Sequence, residues 1–202
     1  MEYPEHIQKG DFPMRYRFNS FSPIYLVVLC LIALLTMSGT SYAEGSWRIN
    51  RETGCKAWSY NPDTDTTFTW TGACKDGYVD GEGALQWLEN GEPGNTYIGQ
   101  YSRGKEHGRG TFIWLTSGAI YKGDFINGLR EGKGVQTFAD GERYEGSWAN
   151  DLPNGKGVYF WAKGARYEGD FVNQLMHGNG ILTLRNGRVF SGRWENSNYL
   201  GP

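Results

Sequence analysis

The chain has 202 residues, a formal net charge of −2 and an aromatic content of 15%. This near-neutral charge provides no overall positive field that would attract nucleic acid or anionic lipid. The 30 glycines, 13 tyrosines and 8 tryptophans are atypical of disordered or helical proteins, and they favour short strands joined by tight turns.

The first recognisable element is the apolar run "IYLVVLCLIALLTM", which follows two arginines. It is 14 residues long, whereas a membrane-spanning helix needs about 20 apolar residues. Small residues at Ser41 and Ala43 fit a signal-peptidase site. We therefore predict that residues 1–43 contain a signal peptide that is cleaved after Ala43.

Two further points about this region stay open. The acidic opening of the chain fits a signal peptide poorly, and the segment that begins at Met14 fits better, so Met14 is a candidate start. The apolar run can also be extended over residues 21–38, which is near the lower length limit for a helix that anchors the protein in the membrane. With cleavage, the rest of the chain is expected outside the cytoplasm, either periplasmic or secreted; without it, the chain stays membrane-anchored.

Residues 44–69 are predicted to form capping strands. The segment "GCKAWSY" is typical of a strand, "NPDTDTT" of a polar turn and "FTWTGAC" of the next strand. Removal of the signal peptide leaves two cysteines, Cys55 and Cys74. An even number of cysteines in an exported chain favours a disulfide, and two buried thiols are the alternative.

Residues 70–195 consist of a repeat whose units begin at intervals of 27, 24 and then 23 residues. Each unit opens with an aromatic residue, has glycine at offset two and, from the second unit onwards, a second aromatic at offset four. Each of the five complete units also has glycines at offsets eleven and thirteen. The openers of units one to six are Trp70, Tyr97, Tyr121, Tyr144, Tyr167 and Phe190.

These offsets predict the fold of the repeat region. Side chains two residues apart point to the same face of a strand. Each unit is therefore predicted to form a β-hairpin with its aromatic rings on one face. Five units and a sixth half unit then form one antiparallel meander. Residues 196–202 are predicted to be a short C-terminal tail that leaves a lightly guarded edge strand, through which copies of the chain could associate.

The segment "YEGSWANDLPNGKGVYFWAKG" resembles the MORN repeat (membrane occupation and recognition nexus). The resemblance implies an all-β, single-layer antiparallel solenoid of hairpins, preceded here by the signal or anchor helix, and it indicates an exported protein of bacterial type. Asp151 and Gln174 replace the glycine of offset seven, a change expected to alter turns only. The repeat-defining structural positions are Gly99, Gly110, Tyr121, Gly123, Gly134, Tyr144, Gly146, Gly157, Tyr167, Gly169 and Gly180.

No set of residues in the repeat predicts catalysis, a metal site or a cofactor. His107 and His177 occupy the same offset three units apart, about 29 Å for six strands, which is too far to share a metal ion, and both are interpreted as turn residues. The glycine pairs lack the Lys-Ser/Thr and helix start of a phosphate-binding loop. We therefore expect a protein that is not an enzyme. Carboxylates on the face opposite the aromatic rings are interpreted as solvated: Asp124, Glu145, Glu168 and Asp170.

The aromatic face is the predicted binding surface. A single-layer sheet has no helices to cover it, so any part that stays open would form a groove suited to peptides, sugar rings or acyl chains. Any individual ring is expected to belong to the core, with a few rings left available for contact. The candidate groove contacts are Trp87, Tyr101, Trp114, Phe125, Trp148, Trp161 and Phe171.

Two classes of function follow. The first is a scaffold that binds an unidentified protein partner, and the second is a module whose aromatic groove holds a glycan or a lipid. Residues 68–195 contain 14 Lys and Arg and 15 Asp and Glu, a net charge of −1 without a basic cluster. This charge pattern disfavours nucleic acid and electrostatic binding to lipid headgroups.

Overall fold

The computed structural model describes residues 45–60 and 66–202, so the predicted signal or anchor segment lies outside the described residues. Fifteen strands run through these residues. They are β1 (Ser46–Ile49), β2 (Lys56–Ser59), β3 (Thr66–Trp70), β4 (Ala73–Lys75), β5 (Tyr78–Glu89), β6 (Glu92–Ser102), β7 (Lys105–Trp114), β8 (Ala119–Ile126), β9 (Leu129–Thr137), β10 (Arg143–Ala149), β11 (Leu152–Phe160), β12 (Arg166–Val172), β13 (Leu175–Thr183), β14 (Val189–Glu195) and β15 (Asn198–Gly201).

The strands from β5 to β15 pair in sequence order, each antiparallel to the next. The predicted all-β antiparallel meander is therefore confirmed for these residues. Within a unit the opener pairs across the hairpin with the residue at offset fifteen, as Tyr144 does with Tyr159. The glycines at offsets two and thirteen pair with each other in the same way. Gly157 pairs in turn with Gly169 of the next unit. The glycines thus form a continuous row across the sheet.

The openers explain why the row consists of glycine. A Cβ atom added to Gly157 would lie 2.6 Å from Cε2 of Tyr144, and one added to Gly110 would lie 2.5 Å from Cε2 of Tyr97. Each tyrosine ring therefore lies along its own strand, above a glycine pair. Its hydroxyl donates a hydrogen bond three residues ahead, as Tyr144 does to the carbonyl of Ser147 at 2.9 Å.

The aromatic residues of offset four connect neighbouring units. Tyr121 contacts Phe125 of its own unit and Trp148 of the next, with ring centroids 5.1 Å apart in both pairs. Tyr144 does the same with Trp148 and Phe171, at 5.2 and 5.1 Å. All four contacts are edge-to-face, the geometry that aromatic rings prefer. A continuous ladder of rings therefore forms the core on one face of the sheet.

The hairpin turns have two residues with positive φ, which is the type I′ geometry that matches the twist of the strands. Asn150 and Asp151 have φ angles of 49° and 66°, and Asn173 and Gln174 have 47° and 66°. Asp151 and Gln174, which replace glycine at offset seven, therefore form the same type of turn as Asn127 and Gly128 do in unit three. Each second turn residue also bonds to the preceding unit, as Asp151 N–H donates to a carbonyl there at 3.1 Å.

The segment predicted as one strand from Phe68 to Cys74 is instead two short strands, β3 and β4. Trp70 is the cause, because its ring is larger than the tyrosine of the other units. Its Nε1–H donates to the carbonyl of Ala73 at 2.8 Å, and a Cβ atom on Gly72 would overlap the ring. The chain bends around this ring, and the ladder with β5 is interrupted.

Residues 45–60, which we call the N-terminal arm, form the hairpin of β1 and β2 and lie across the turns of units one to three. Lys56 N–H donates to the carbonyl of Gly77 at 2.9 Å, and Trp58 N–H donates to that of Gly104 at 2.8 Å. A disulfide joins the buried Cys55 to Cys74 on β4, as the cysteine count predicts. The arm is therefore covalently fixed to unit one at the residue that precedes β2.

The C-terminal tail contains a strand, β15, where the sequence predicts only a short tail. The ring of Tyr199 lies 5.1 Å from that of Trp194, and its hydroxyl donates to the carbonyl of Ser191 at 2.8 Å. Tyr199 thus ends the ring ladder. β15 covers only the last three residues of β14, and self-association through the remaining edge stays a prediction. The described part of the chain contains no helix with the length and apolarity that a bilayer crossing requires.

Candidate functional site

Six of the seven predicted groove residues are buried in the ring ladder, with at most 8% of each residue exposed. Trp114 is only partly buried at its edge. The face that the sequence suggests as an open groove is therefore largely filled by its own rings. Ligand contact by any of these side chains stays a prediction, and their burial leaves little surface for it. The six are Trp87, Tyr101, Phe125, Trp148, Trp161 and Phe171.

A buried arginine closes this face in unit three. The guanidinium of Arg130 lies 4.5 Å from the ring centre of Trp148, 5.6 Å from that of Trp114 and 5.7 Å from that of Tyr121. Cations are attracted to aromatic faces at such distances. The space between these rings, which could otherwise receive a ligand cation, is occupied by the chain itself.

The same guanidinium is paired with polar groups at its other side. Arg130 Nε–H donates to Asp151 Oδ1 at 3.0 Å, and Nη1–H donates to Gln136 Oε1 at 3.0 Å. Sequence reasoning missed this network, although a signal was present. Arg130 stands at offset nine, where three other units have apolar residues, namely Val79, Pro153 and Met176.

Glu106 is a second buried polar residue at offset nine, with 4% of its surface exposed. Tyr101 Oη donates to its Oε1 at 3.2 Å, whereas Oε2 has no hydrogen-bond partner among the described residues. Burial raises the pKa of Glu106 to about 7. Burial and the nearby Glu106 carboxylate together raise the pKa of Tyr60 to about 12. Since Glu106 is inaccessible to solvent, we assign it an effect on stability and not a role in chemistry.

A groove with a volume of about 700 Å³ lies over the glycine rows of β10 to β14, lined by outer-face side chains. Val158 and Ile181 form its apolar part, and Ile181 is 43% exposed. Its floor is the backbone of the glycine rows, on the side opposite to the one where added Cβ atoms would meet the tyrosine rings. We call it the outer groove. It is lined by Glu145, Gly146, Lys156, Gly157, Val158, Glu168, Gly169, Asn179, Gly180, Ile181, Ser191 and Gly192.

Two arginine–glutamate pairs border the outer groove. Arg143 is paired with Glu145, and Arg166 lies 2.6 Å from Glu168. Both guanidinium groups lie over the ring of Phe160, at 4.6 and 5.7 Å from its centre. This stacking keeps the arginines along the strand edge, so the two carboxylates stay oriented along one side of the groove.

A third ion pair lies at the other side. Lys156 Nζ is 2.7 Å from Asp170 Oδ1, and the backbone N–H of Asn179 donates to Oδ2 of the same carboxylate at 3.1 Å. Partial burial by itself would raise the pKa of Asp170, but these two hydrogen bonds outweigh it and hold the pKa below its usual range. Asp170 is therefore a fixed negative charge at the rim.

The outer groove is suited to contact and not to metal binding. Within residues 45–60 and 66–202, no three His, Cys, Asp or Glu side chains are grouped so that they could hold a metal ion. His107 and His177 lie within β7 and β13, where the sequence interpretation had placed them in turns. An apolar floor with a charged, hydrogen-bonded rim is the composition of protein–protein contact surfaces.

Fold and groove together define a single-layer β-repeat protein with one filled and one accessible face. The model of the MORN repeat family matches residues 97–116, 121–143, 144–166 and 167–187. Four MORN repeats are thus detected between residues 97 and 187. Unit one and the sixth half unit lie outside the matched residues, and they pair with their neighbours in the same antiparallel order.

Similar solved structures come from Drosophila melanogaster. The TCP domain of SAS-4 (dCPAP), in complex with a proline-rich motif of Ana2 (dSTIL), is 14% identical, with a TM-score of 0.33; the match covers 82% of this chain and 99% of that domain. The TCP10c domain of Sas-4 is 12% identical, with a TM-score of 0.27 and coverages of 65% and 88%. These scores indicate a limited likeness. No curated protein matches the sequence.

Proposed function

We propose that this protein is a non-enzymatic scaffold that binds a protein partner through the outer groove. One observation carries the proposal. The accessible concave surface, with Val158 and Ile181 at its centre, lies on the face opposite the ring ladder. MORN repeats suggest a protein- or membrane-binding module, and the chemistry of this surface favours the protein.

Charge supports this choice between the two classes of ligand. Arg143 and Arg166 are paired with Glu145 and Glu168, and Lys156 is paired with Asp170, so the groove has no excess positive charge that would attract an anionic lipid headgroup. The glycan or lipid alternative depends on exposed aromatic rings, and most of these rings are buried. Catalysis is excluded from the proposal because each groove glutamate is paired with an arginine, which leaves no free acid and base side by side.

Export is part of the proposal. It is supported by the apolar run before Ala43 and by the disulfide of Cys55 and Cys74, because disulfides persist in oxidising compartments. Intact-mass measurement of the protein from its native cell tests it. We expect a mature chain that starts at Glu44 with no free thiol. A retained N-terminal segment would favour the anchor, and free thiols at both cysteines would contradict export.

Partner binding is tested with a groove variant and a matched control. The groove variant is Val158→Gln with Ile181→Gln, which makes the floor polar. The control is Val135→Gln, at the same repeat offset one unit before the groove, so its cost to folding is comparable to that of each groove substitution. Each tagged chain is expressed in the native cell, and proteins bound to it are quantified by mass spectrometry after cross-linking.

We expect wild type and control to retain the same partner, and the groove variant to retain roughly ten-fold less. Loss of about 1.4 kcal/mol of contact energy is enough for that change. Equal retention by all three chains would place the partner elsewhere on the molecule. Absence of any specific partner, or turnover of a substrate by the purified chain, would contradict the proposed function itself.

A further inference from the structure

Apolar side chains line the hairpin ends of units three to five on the outer face. They occupy offsets five and eight, which pair across each hairpin. Ile126 is 51% exposed and Val172 is 42% exposed, while the leucines are half-buried. We call this surface the hairpin-end stripe. It consists of Ile126, Leu129, Ala149, Leu152, Val172 and Leu175.

The stripe is confined to these three units. Offset five is occupied by Lys75 in unit one, Ser102 in unit two and Glu195 in unit six. Successive units are two strands apart, about 9.6 Å, so three units give a length of about 20 Å. An extended peptide of about six residues spans that distance.

The chain itself shows how this row of hairpin ends is covered. In units one and two the offset-eight residues are Tyr78 and Lys105, and both contact the N-terminal arm. The ring of Trp47 lies 5.0 Å from that of Tyr78, and Lys105 Nζ lies 4.7 Å from the ring centre of Trp58. The stripe continues the same row directly beyond the arm, so it is contiguous with an interface that already exists.

The arm packs closely on the turn glycines of units two and three. A Cβ atom on Gly104 would lie 2.6 Å from the Trp47 ring and 2.8 Å from a carbonyl of the arm, and one on Gly128 would clash with Tyr60 Oη. In the next two units this position is Asp151 and Gln174. A backbone cannot approach those turns as closely, so a segment on the stripe must bind through its side chains on the leucines.

Charge indicates the kind of segment. Asp124 and Glu131 face each other on the strands beside the stripe, and Asp170 lies beside it two units later. Lys156 pairs with Asp170, the exposed Arg109 lies 3.6 Å from Asp124, and Glu131 has no ion pair among the described residues. The arm that covers the first part of the row has three basic residues and one acidic residue, a net charge of +2: Arg48, Arg51, Lys56 and Glu52. It also has aromatic residues at alternate positions, with Trp58 in β2 and Tyr60 directly after that strand.

We propose that the hairpin-end stripe binds an extended, basic segment of a partner protein that has aromatic side chains at alternate positions. This inference rests on the proposed function as a protein-binding module, and it adds the class of partner segment and a second contact surface. The partner's aromatic side chains lie on Leu152 and Leu175, as Trp47 lies on Tyr78. Its basic side chains lie toward Asp124, Glu131 and Asp170.

The probe is a synthetic peptide with the sequence of residues 46–60, carrying Cys55→Ser and a fluorescent label. Its binding to the full disulfide-bonded chain is measured by fluorescence polarisation. We expect saturable binding that weakens as salt is raised, because the rim charges contribute. Leu152→Gln with Leu175→Gln weakens binding by at least about ten-fold, since two apolar contacts are lost. The groove variant Val158→Gln with Ile181→Gln binds the peptide as the wild type does.

A second stripe variant distinguishes the loss of a binding contact from misfolding of the first variant. Ile126→Thr with Val172→Thr changes only exposed side chains in β positions that threonine accepts, and it must also weaken binding. No saturable binding to the wild type, or equal binding to both stripe variants, would overturn the inference. So would loss of hydrogen-exchange protection at Lys56 and Trp58, because the peptide would then be displacing the arm.

The two proposals can fail separately. If the groove variant loses the cellular partner but the peptide does not bind the stripe, the proposed function stands and this inference falls. If the peptide binds the stripe while no cellular partner is found, the stripe has affinity for such segments and the scaffold function is contradicted.

Discussion

Glu106 places a carboxylate inside the closed aromatic face, and its pKa of about 7 lies above the value of about 4.3 expected for an unfolded chain. Between these two pH values the folded protein holds a proton that the unfolded chain has lost. The free energy of unfolding therefore falls as pH rises through this window, and the loss is complete above about pH 7. Below about pH 4 Glu106 is protonated in both the folded and the unfolded chain, so it does not make the free energy of unfolding depend on pH.

Glu106→Gln is expected to remove this pH dependence and to keep the hydrogen bond from Tyr101. At about pH 8 the variant is more stable than the wild type by roughly 3 to 4 kcal/mol, the free energy that corresponds to the pKa difference. Urea unfolding between about pH 4 and pH 8 measures it. Glu92→Gln is the exposed control and keeps the wild-type slope. A wild-type stability that does not fall over this range would contradict the burial of Glu106.

The glycine rows are a second residue-scale feature that can be tested. In Gly157→Ala the new methyl overlaps the fully buried ring of Tyr144, which has no free space to move into. We expect a loss of about 2 to 3 kcal/mol in the free energy of unfolding, as for overpacked cores. Gly94→Ala is the control, because its nearest neighbour is at 3.3 Å, and it costs less than about 1 kcal/mol. Equal losses would contradict the close contact between ring and row.

At the scale of elements, the type I′ turns predict opposite effects for the same substitution. Gln174 has a φ of 66°, and its buried Oε1 has no partner among the described residues. Gln174→Gly removes both costs and should stabilise the protein by about 1 kcal/mol. Asp151→Gly relieves the same backbone strain but leaves buried Arg130 without its carboxylate. It should therefore destabilise the protein by about 2 kcal/mol or more. Thermal unfolding of the two variants measures both signs, and the same sign for both would contradict the assigned role of Asp151.

At the scale of the whole molecule, the arm is a unit joined to the solenoid by one covalent link and a few hydrogen bonds. The disulfide closes a loop with a sequence separation of 19, which contributes about 3 kcal/mol through the unfolded chain. In Cys55→Ala with Cys74→Ala, we expect faster hydrogen exchange at Lys56 and Trp58. Exchange in the four MORN repeats stays unchanged. Uniform loss of protection across both regions would show that the arm and the repeats unfold as one unit.

The sequence predicts the repeat region well because the information is local. The two-residue parity of opener, glycine and second aromatic sets which side chains share a face, and the constant offsets set the register, as in the pairing of Tyr144 with Tyr159. The arm across the turns could not be predicted, because a strand that bonds to turns up to 67 residues away leaves no periodic signal, as the bond from Tyr60 to Asn127 illustrates.

The sequence also could not predict how completely the aromatic face is closed. Whether rings such as Trp148 and Phe171 are open or buried depends on edge-to-face packing between units, which one unit cannot show. Arg130 interrupts the apolar pattern of offset nine, but only the structure shows that its cation fills the space between three rings. The outer groove was not predicted either, because its lining residues come from five successive strands.

Hydroxyl-radical footprinting of the isolated chain tests the central claim most directly, since it measures side-chain exposure on both faces in one experiment. The account predicts slow oxidation of Trp148 and Phe171, and fast oxidation of Ile181 in the outer groove and of Trp47, which is 40% exposed. Oxidation of Trp148 as fast as that of Trp47 would contradict a filled aromatic face, and with it the assignment of binding to the opposite side of the sheet.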